Sequence, residues 1–206
     1  MTLLRSARLV LIVLAALAAA SLNAPAARAA GSFMLSGPFT LVDADGKTVS
    51  TAAFAGKWML IYFGYTHCAD WCPTSLSSIA EAMDQIGPAA EHVQPLFITV
   101  DPARDKGPML RDYTASFDKR MIGLGGSPDQ IAAVAKALGV KYEKVLLGND
   151  DYVIDHSVTL SLIDPTGRHA ETFEMAEPYQ IAAKVLAALS STGTSLGNVN
   201  NAAAFK

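Results

Sequence analysis

Cys68 and Cys72 are the two cysteines of this 206-residue chain, and they lie where an apolar run gives way to a helical pattern. The run from Trp58 to Phe63 is apolar on both alternating faces, as expected of a strand buried on both sides. Pro73 suits the first position of a helix, and apolar residues follow it at helical spacing. We therefore predict that a core strand leads into the pair, with Cys68 on a loop and Cys72 as the helix N-cap.

Further strands and helices alternate along the chain. A second buried strand, Gln94 to Val100, follows the first helix, and this order predicts a right-handed crossover between parallel strands. An Asp-Gly pair suits the turn of a short hairpin within residues 36–50. The remaining predictions are helices at Met109–Phe117, Ser127–Leu138 and Pro178–Ser190, strands at Arg120–Leu124, Lys141–Leu147, Ser157–Ile163 and Ala170–Glu174, and a polar loop at Gly148–His156.

This order of elements predicts an α/β fold, namely a thioredoxin-like domain with a central mixed sheet flanked by helices and an N-terminal β-hairpin. Redox motifs in that fold lie where a central strand hands over to a helix, which is where Cys68 and Cys72 fall. Thioredoxin-type catalysis uses a Cys-x-x-Cys spacing, and this chain has one residue more between its cysteines. Both sulfurs can face one external point, which suits a chelated ion as well as a disulfide.

Residues 1–29 have the features of an export signal. Arg5 and Arg8 precede the apolar stretch Leu9–Ala20, and Ala27-Arg28-Ala29 offers a small-x-small cleavage site. Cleavage would leave a domain at residues 30–190; the alternative is a retained membrane anchor, because the apolar stretch approaches the length of a spanning helix. Either alternative places the domain outside the cytoplasm and predicts a periplasmic location. Residues 191–206 are rich in small polar residues and predict a disordered tail.

The net charge and the length of the chain limit the function classes. Removal of residues 1–29, which hold three Arg and no acid, changes the formal net charge from −3 to −6. A surface with this net negative charge disfavours nucleic acid as a partner. The domain is also long enough to bury its own core, so its stability does not need a disulfide between cysteines this close together.

The cysteine pair calls for a third ligand if it binds a metal ion. Two thiolates are soft donors that select Cu(I), zinc or an iron–sulfur unit, and an added imidazole favours copper or zinc. His156 ends the polar loop before a predicted strand, so its ring can project from the sheet edge. His67 is a weaker candidate, because neighbours on an extended segment point to opposite faces. His92 is predicted to lie in a surface loop and His169 near a turn, and both are predicted to be solvated.

Three sequence blocks resemble the Sco/SenC family of copper proteins. They are residues 62–73 (YFGYTHCADWCP), 99–105 (TVDPARD) and 151–157 (DYVIDHS), which occur in the order found in that family. The resemblance runs from about residue 37 to about residue 189. Two positions depart from the family pattern: Ala69 stands where proline is common, and Trp71 is bulkier than the usual aliphatic residue.

The resemblance implies a thioredoxin-like fold that binds one copper ion through Cys68, Cys72 and His156. The family helps to assemble the dinuclear copper centre of cytochrome c oxidase by delivering copper, by reducing the target's cysteines, or by both. The implied partners are the copper-bearing subunit of the oxidase and other copper chaperones. We expect residues 101–105 to fix a loop near the site without taking part in its chemistry.

The cysteine pair also allows other functions. As a thiol-disulfide reductase, the chain would use Cys68 and Cys72 as attacking and resolving thiols, and His156 would tune a thiol's acidity. A structural disulfide or two packed thiols would need no partner. A peroxidase is a weaker alternative, because Thr66-His67-Cys68 lacks the spacing and the preceding proline of the peroxiredoxin motif.

Overall fold

The computed structural model describes residues 39–149 and 151–192. The predicted export signal at 1–29, with the choice between cleavage and a membrane anchor, lies outside the described residues, as does the predicted tail from residue 193 onward. No helix within the described ranges combines the length and the apolar character needed to cross a bilayer.

Nine strands and four α-helices make up the described part of the chain. Short 3₁₀ turns at Thr51–Phe54 and Gly87–His92 lead into β3 and β4. The strands are β1 (Thr40–Val42), β2 (Thr48–Ser50), β3 (Trp58–Gly64), β4 (Val93–Thr99), β5 (Ile122–Leu124), β6 (Tyr142–Gly148), β7 (Asp151–His156), β8 (Thr159–Ile163) and β9 (His169–Glu174). The helices are α1 (Trp71–Gln85), α2 (Gly107–Phe117), α3 (Pro128–Ala137) and α4 (Pro178–Ser191).

Five of these strands form a mixed sheet in the order β5-β4-β3-β8-β9. β3 pairs parallel with β4 through α1, as the strand-helix-strand pattern predicts, and antiparallel with β8 on its other side. All seven residues of β3 are buried, which confirms the prediction of a central strand. Because β3 is the middle strand, the loop after it is held by the most completely buried part of the core.

Two hairpins lie outside the five-stranded sheet. β1 and β2 form the predicted N-terminal hairpin, which is joined to the rest of the domain by a bridge between Val42 and Gly125. β6 and β7 pair only with each other, and Ile154 is the buried residue of β7. The polar loop predicted at Gly148–His156 is therefore wrong for residues 151–156, which form strand β7.

Helix boundaries differ from the sequence predictions in two places that bear on the site and its surroundings. α1 begins at Trp71 with Asp70 as the N-cap, so Cys72 is the second helical residue and not the N-cap. Pro73 is tolerated as the third residue because the first N–H groups of a helix have no partner within the helix. α4 continues one residue beyond the predicted end, to Ser191, which had been assigned to the tail.

Candidate metal centre

The two cysteines occupy positions of different exposure after β3. Cys72 is fully buried at the start of α1, whereas Cys68 is half-buried on the connecting loop. The backbone N–H of Cys72 donates to the sulfur of Cys68 at 3.4 Å. This contact joins the connecting loop to the first turn of α1, where backbone N–H groups have no partner within the helix.

Gly64, the last residue of β3, leaves room for the buried cysteine. A Cβ atom at this position would lie 2.8 Å from the ring of Phe97, 3.0 Å from Cys72 Sγ and 3.2 Å from the ring of Tyr62. The absence of a side chain therefore lets the sulfur approach the sheet. No sequence pattern specified this contact, although a glycine at the end of a buried strand often marks such a close approach.

His156 lies at the end of β7, not at the start of a strand as predicted, and its ring reaches Cys72. Nε2 lies 3.5 Å from Cys72 Sγ, although 84 residues separate the two in the chain. Nδ1 lies 3.0 Å from the carbonyl oxygen of Ser157, which accepts only if Nδ1 carries the proton. That tautomer leaves the lone pair of Nε2 directed at the sulfur, as either a metal ligand or an acceptor for the thiol.

Aromatic side chains shield this sulfur–imidazole pair. The rings of Tyr62 and Tyr65 each meet the ring of His156 edge-on, with centroids 6.1 Å apart. Burial lowers the pKa of His156, so the ring is neutral near pH 7. Burial also raises the pKa of Cys72 to about 12, so its sulfur is a thiol until it releases the proton to a bound cation.

The three predicted donors, Cys68, Cys72 and His156, lie in one region but do not form a closed set. Within the described residues, no group of three or more His, Cys, Asp or Glu side chains is arranged to hold a metal ion. Cys72 links the other two, because its sulfur meets His156 and its N–H meets the sulfur of Cys68.

A buried carboxylate fixes the segment that precedes Cys68. Asp105 accepts hydrogen bonds from the backbone N–H of Thr66 at 2.9 Å and from its hydroxyl at 2.5 Å. The same carboxylate accepts a third hydrogen bond, from the hydroxyl of Thr99 at the end of β4, at 2.6 Å. The loop after β4 therefore ties the cysteine segment to the sheet.

The same loop also holds the hairpin that carries His156. Asp101 is buried and accepts hydrogen bonds from the Tyr152 hydroxyl at 2.9 Å and from Arg104. Arg104 donates to the carbonyl oxygen of Tyr152 at 3.1 Å and stacks on its ring at 3.7 Å, while Lys144 Nζ lies 3.4 Å from the centroid of that ring. These contacts confirm the structural role expected for residues 101–105, whereas Tyr152 was not singled out in the sequence.

The other histidines contact different partners. His67 lies 3.0 Å from the hydroxyl of Thr66, on the side of that segment that faces Asp105. His92 lies beside Glu91, and His169 lies 2.7 Å from the hydroxyl of Thr172. Among the four histidines, His156 is the one for which the structure gives a contact with a cysteine.

An open groove of about 410 Å³ runs past the half-buried cysteine. Trp71, which is 70% exposed, and Asp155 both line this groove. The other lining residues are Tyr65, Cys68, Val153, Ile154, His156 and Val158. Molecules that approach Cys68 therefore meet a largely apolar surface that also includes His156.

Comparison with known proteins identifies the group to which this domain belongs. The sequence profile of the SCO1/SenC family matches residues 27–191, which include both cysteines and His156. The chain belongs to the SCO1/SenC family. The sequence-based resemblance is therefore confirmed, as is the thioredoxin-like fold class.

Individual members of the SCO1/SenC family support this assignment. The chain is 42% identical over 137 residues to the mitochondrial SCO1 homolog 1 of Arabidopsis thaliana, a match that covers 66% of this chain and 41% of the relative. A solved structure of Bradyrhizobium japonicum ScoI with copper bound is 41% identical, with a TM-score of 0.68 over 74% of this chain and 98% of that one. Arabidopsis thaliana ScoI with copper bound is 36% identical, with a TM-score of 0.71 over 75% and 98%. The chain spans about half the length of the first curated relatives it matches.

Proposed function

We propose that this chain binds copper through Cys68, Cys72 and His156. The observation that carries the proposal is the 3.5 Å contact between Cys72 Sγ and the unprotonated Nε2 of His156, with Cys68 beside them. Two sulfurs and one imidazole are a donor set that suits a soft cation such as Cu(I). Solved family members with copper bound add support for copper over zinc.

The role of each ligand follows from its surroundings. Cys72 and Cys68 would bind as thiolates, and the buried neutral ring of His156 would bind through Nε2 without releasing a proton. Copper is the cargo of this site, because Cys68 and the groove beside it remain open to a partner. The loop at residues 101–105 holds the cysteine segment and the histidine hairpin in fixed relative positions while copper enters and leaves.

The cargo is delivered outside the cytoplasm to the dinuclear copper centre of cytochrome c oxidase. Two observations support this destination: the family membership, since Sco proteins are cytochrome c oxidase assembly proteins, and the export features of residues 1–29. The recipient is the copper-bearing subunit of the oxidase, and the location is the periplasm, with the domain either free or anchored to the inner membrane. Other copper chaperones are the expected source of the cargo.

Copper analysis of the reduced protein tests the ligand set. We expect one copper per chain in the wild type, and His156→Ala should weaken Cu(I) binding by about two orders of magnitude, on the order of 3 kcal/mol. The matched control is His169→Ala, because that partly buried histidine contacts Thr172 and not a cysteine. If His156→Ala and His169→Ala retain the same Cu(I) affinity in competition with a chelator, the three-ligand proposal is wrong.

Thiol-disulfide exchange is a second candidate function, favoured by the unequal exposure of the two cysteines. Cys68 is accessible and receives an N–H from the helix start, so it would attack a partner disulfide, and buried Cys72 would resolve the mixed disulfide. In this function, Cys72→Ser should accumulate a mixed disulfide with the oxidised partner, while Cys68→Ser should not. If neither variant traps the oxidase subunit in its disulfide form, this candidate fails.

A further inference from the structure

Two tyrosine hydroxyls are buried near Cys72 without a hydrogen-bond partner in the described part of the chain. They belong to Tyr62 on β3 and Tyr113 on α2. A buried hydroxyl without a partner destabilises a fold, so each one calls for an explanation. Phenylalanine would fill the same space without that cost.

Tyr62 lies against the buried cysteine. The edge of its ring and Cys72 Sγ both converge on the space above Gly64, at 3.2 and 3.0 Å from a Cβ atom placed there. The ring of His156 closes another side of the tyrosine ring, with centroids 6.1 Å apart. A phenol keeps its proton at neutral pH, so the Tyr62 hydroxyl can stabilise an acceptor beside it by donating a hydrogen bond.

The other buried hydroxyl has different surroundings. The ring of Tyr113 packs on Phe97 and Phe117, with centroid distances of 5.8 and 5.2 Å. Two buried tyrosines thus share an unpaired hydroxyl, and the contacts beside Gly64 place Tyr62 next to the sulfur.

The acceptor strength of Cys72 changes when it binds a cation. A thiol sulfur is a weak acceptor, and in this structure the thiol faces Nε2 of His156. A metal-bound thiolate carries negative charge and accepts hydrogen bonds more strongly. We propose that the Tyr62 hydroxyl is a hydrogen-bond donor to the metal-bound thiolate: it hydrogen-bonds to Cys72 Sγ when the sulfur binds copper. This inference rests on the proposed copper site and names a positioning residue for it.

The expected consequence concerns the oxidation state of the cargo. A hydrogen bond draws charge from the thiolate, and a less basic sulfur stabilises Cu(I) relative to Cu(II). Tyr62→Phe should therefore lower the ratio of Cu(I) to Cu(II) affinity by up to about tenfold, which is about 59 mV for a one-electron couple. The sulfur-to-copper charge-transfer band of the Cu(II) form should move to longer wavelength.

The experiment compares Tyr62→Phe with Tyr113→Phe in the full chain. Both variants remove one buried, unpaired hydroxyl, so both should keep or raise the melting temperature without copper. Only Tyr62→Phe should lower the reduction potential, shift the charge-transfer band and reduce the rise in melting temperature that Cu(I) produces. Transfer of the Cu(II) protein to D₂O should shift the Cu–S stretching frequency less in Tyr62→Phe than in the wild type or Tyr113→Phe, because the backbone N–H that donates to Cys68 exchanges in all three.

The outcomes separate this inference from the proposed function. If the wild type binds copper, and Tyr62→Phe and Tyr113→Phe have the same potential and the same band, the Tyr62 donor is wrong while the copper site stands. An equal D₂O shift in the wild type and Tyr62→Phe also overturns the donor. If the wild type binds no copper, the proposed function and this inference both fail.

Discussion

The two segments that bring the candidate ligands together are built in different ways. The cysteine segment continues β3, the middle strand of the five-stranded sheet, in which every residue is buried. The histidine segment ends β7, which pairs only with β6, and most residues of that hairpin are exposed. Apolar burial places the first segment, whereas polar contacts hold the second.

The polar contacts of the hairpin converge on the loop after β4. Asp101 and Arg104 hold Tyr152, and Asp105 in the same loop holds Thr66 beside the cysteines. One short loop therefore sets the distance between the two halves of the site. The rigid half is the cysteine segment that follows β3, and the attached half is the end of the β6–β7 hairpin that carries His156. We therefore expect the half containing Cys72 to be lost only when the whole domain unfolds, whereas the half containing His156 should open locally while the sheet stays folded.

A methyl group at Gly64 should give the largest effect and damage both the fold and the site. Gly64→Ala places a Cβ 2.8 Å from Phe97 and 3.0 Å from Cys72 Sγ, and we expect overpacking to cost about 1–3 kcal/mol of unfolding free energy. Urea unfolding measures this loss, and copper binding should weaken in the same variant. Gly125→Ala is the control, because its Cβ would meet ordinary contacts at 3.5 Å or more. Equal losses in the two variants would contradict the special role of Gly64.

Removal of the guanidinium of Arg104 should separate the two halves. Arg104→Gln breaks the contacts with Asp101 and the Tyr152 carbonyl, so the hairpin should be less well held and Cu(I) affinity should fall by about tenfold, on the order of 1.4 kcal/mol. Chelator competition measures the affinity, and hydrogen exchange should show faster opening in β6 and β7 than in β3. Arg111→Gln, which breaks an exposed pair with Asp45, is the control and should change little. Uniformly faster exchange in β3 would show that the hairpin is not separable.

Sequence patterns predicted the rigid half well because apolar burial leaves a periodic signal. The unbroken apolar run Trp58–Phe63 located β3, and the adjacent proline located the start of α1 to within two residues. The position of the helix cap was missed because it depends on local geometry, in which the carbonyl oxygen of Asp70 accepts from both the N–H and the hydroxyl of Thr74.

The attached half left a weaker signal. The sequence favours a loop for β7 because its exposed positions include the apolar Val153 and its inward positions include the polar His156, so the residue types do not alternate although the burial does. His156 was nevertheless identified, through the family resemblance and not through periodicity. The contacts of Tyr62, Gly64 and Tyr152 depend on tertiary structure. Asp101 and Tyr152, for example, lie 51 positions apart, so no local sequence pattern links them.

Alkaline pH should probe the rigid half through Cys72. Burial raises its pKa to about 12 from an ordinary value of 9.0, so above pH 9 the unfolded chain releases this proton more readily than the folded one. The contribution of the protonated Cys72 thiol to the free energy of unfolding is therefore complete below about pH 9 and is lost towards pH 12. The free energy of unfolding should fall by up to about 1.4 kcal/mol per pH unit in this range. Urea unfolding of the reduced protein between pH 8 and 10 measures the slope. Cys72→Ala should flatten it, and an unchanged slope would contradict the burial of the thiol.

Acidic pH should probe the attached half through His156, with the smallest effect. Burial lowers the pKa of this histidine, so the unfolded chain binds the proton first as the pH falls below about 6.5. The contribution of the neutral ring is present above that pH and is lost as the pH falls through the folded value, with a slope well below 1.4 kcal/mol per pH unit. His169 is also lowered by burial, so the measurement is the slope between pH 7.5 and 5.5 in wild type, His156→Gln and His169→Gln. If the loss of stability in acid comes from the attached half, His156→Gln should flatten the slope. Acid should also increase hydrogen exchange in β7 before β3, because protonation of the ring removes the contact with Cys72 while the core strand keeps its packing.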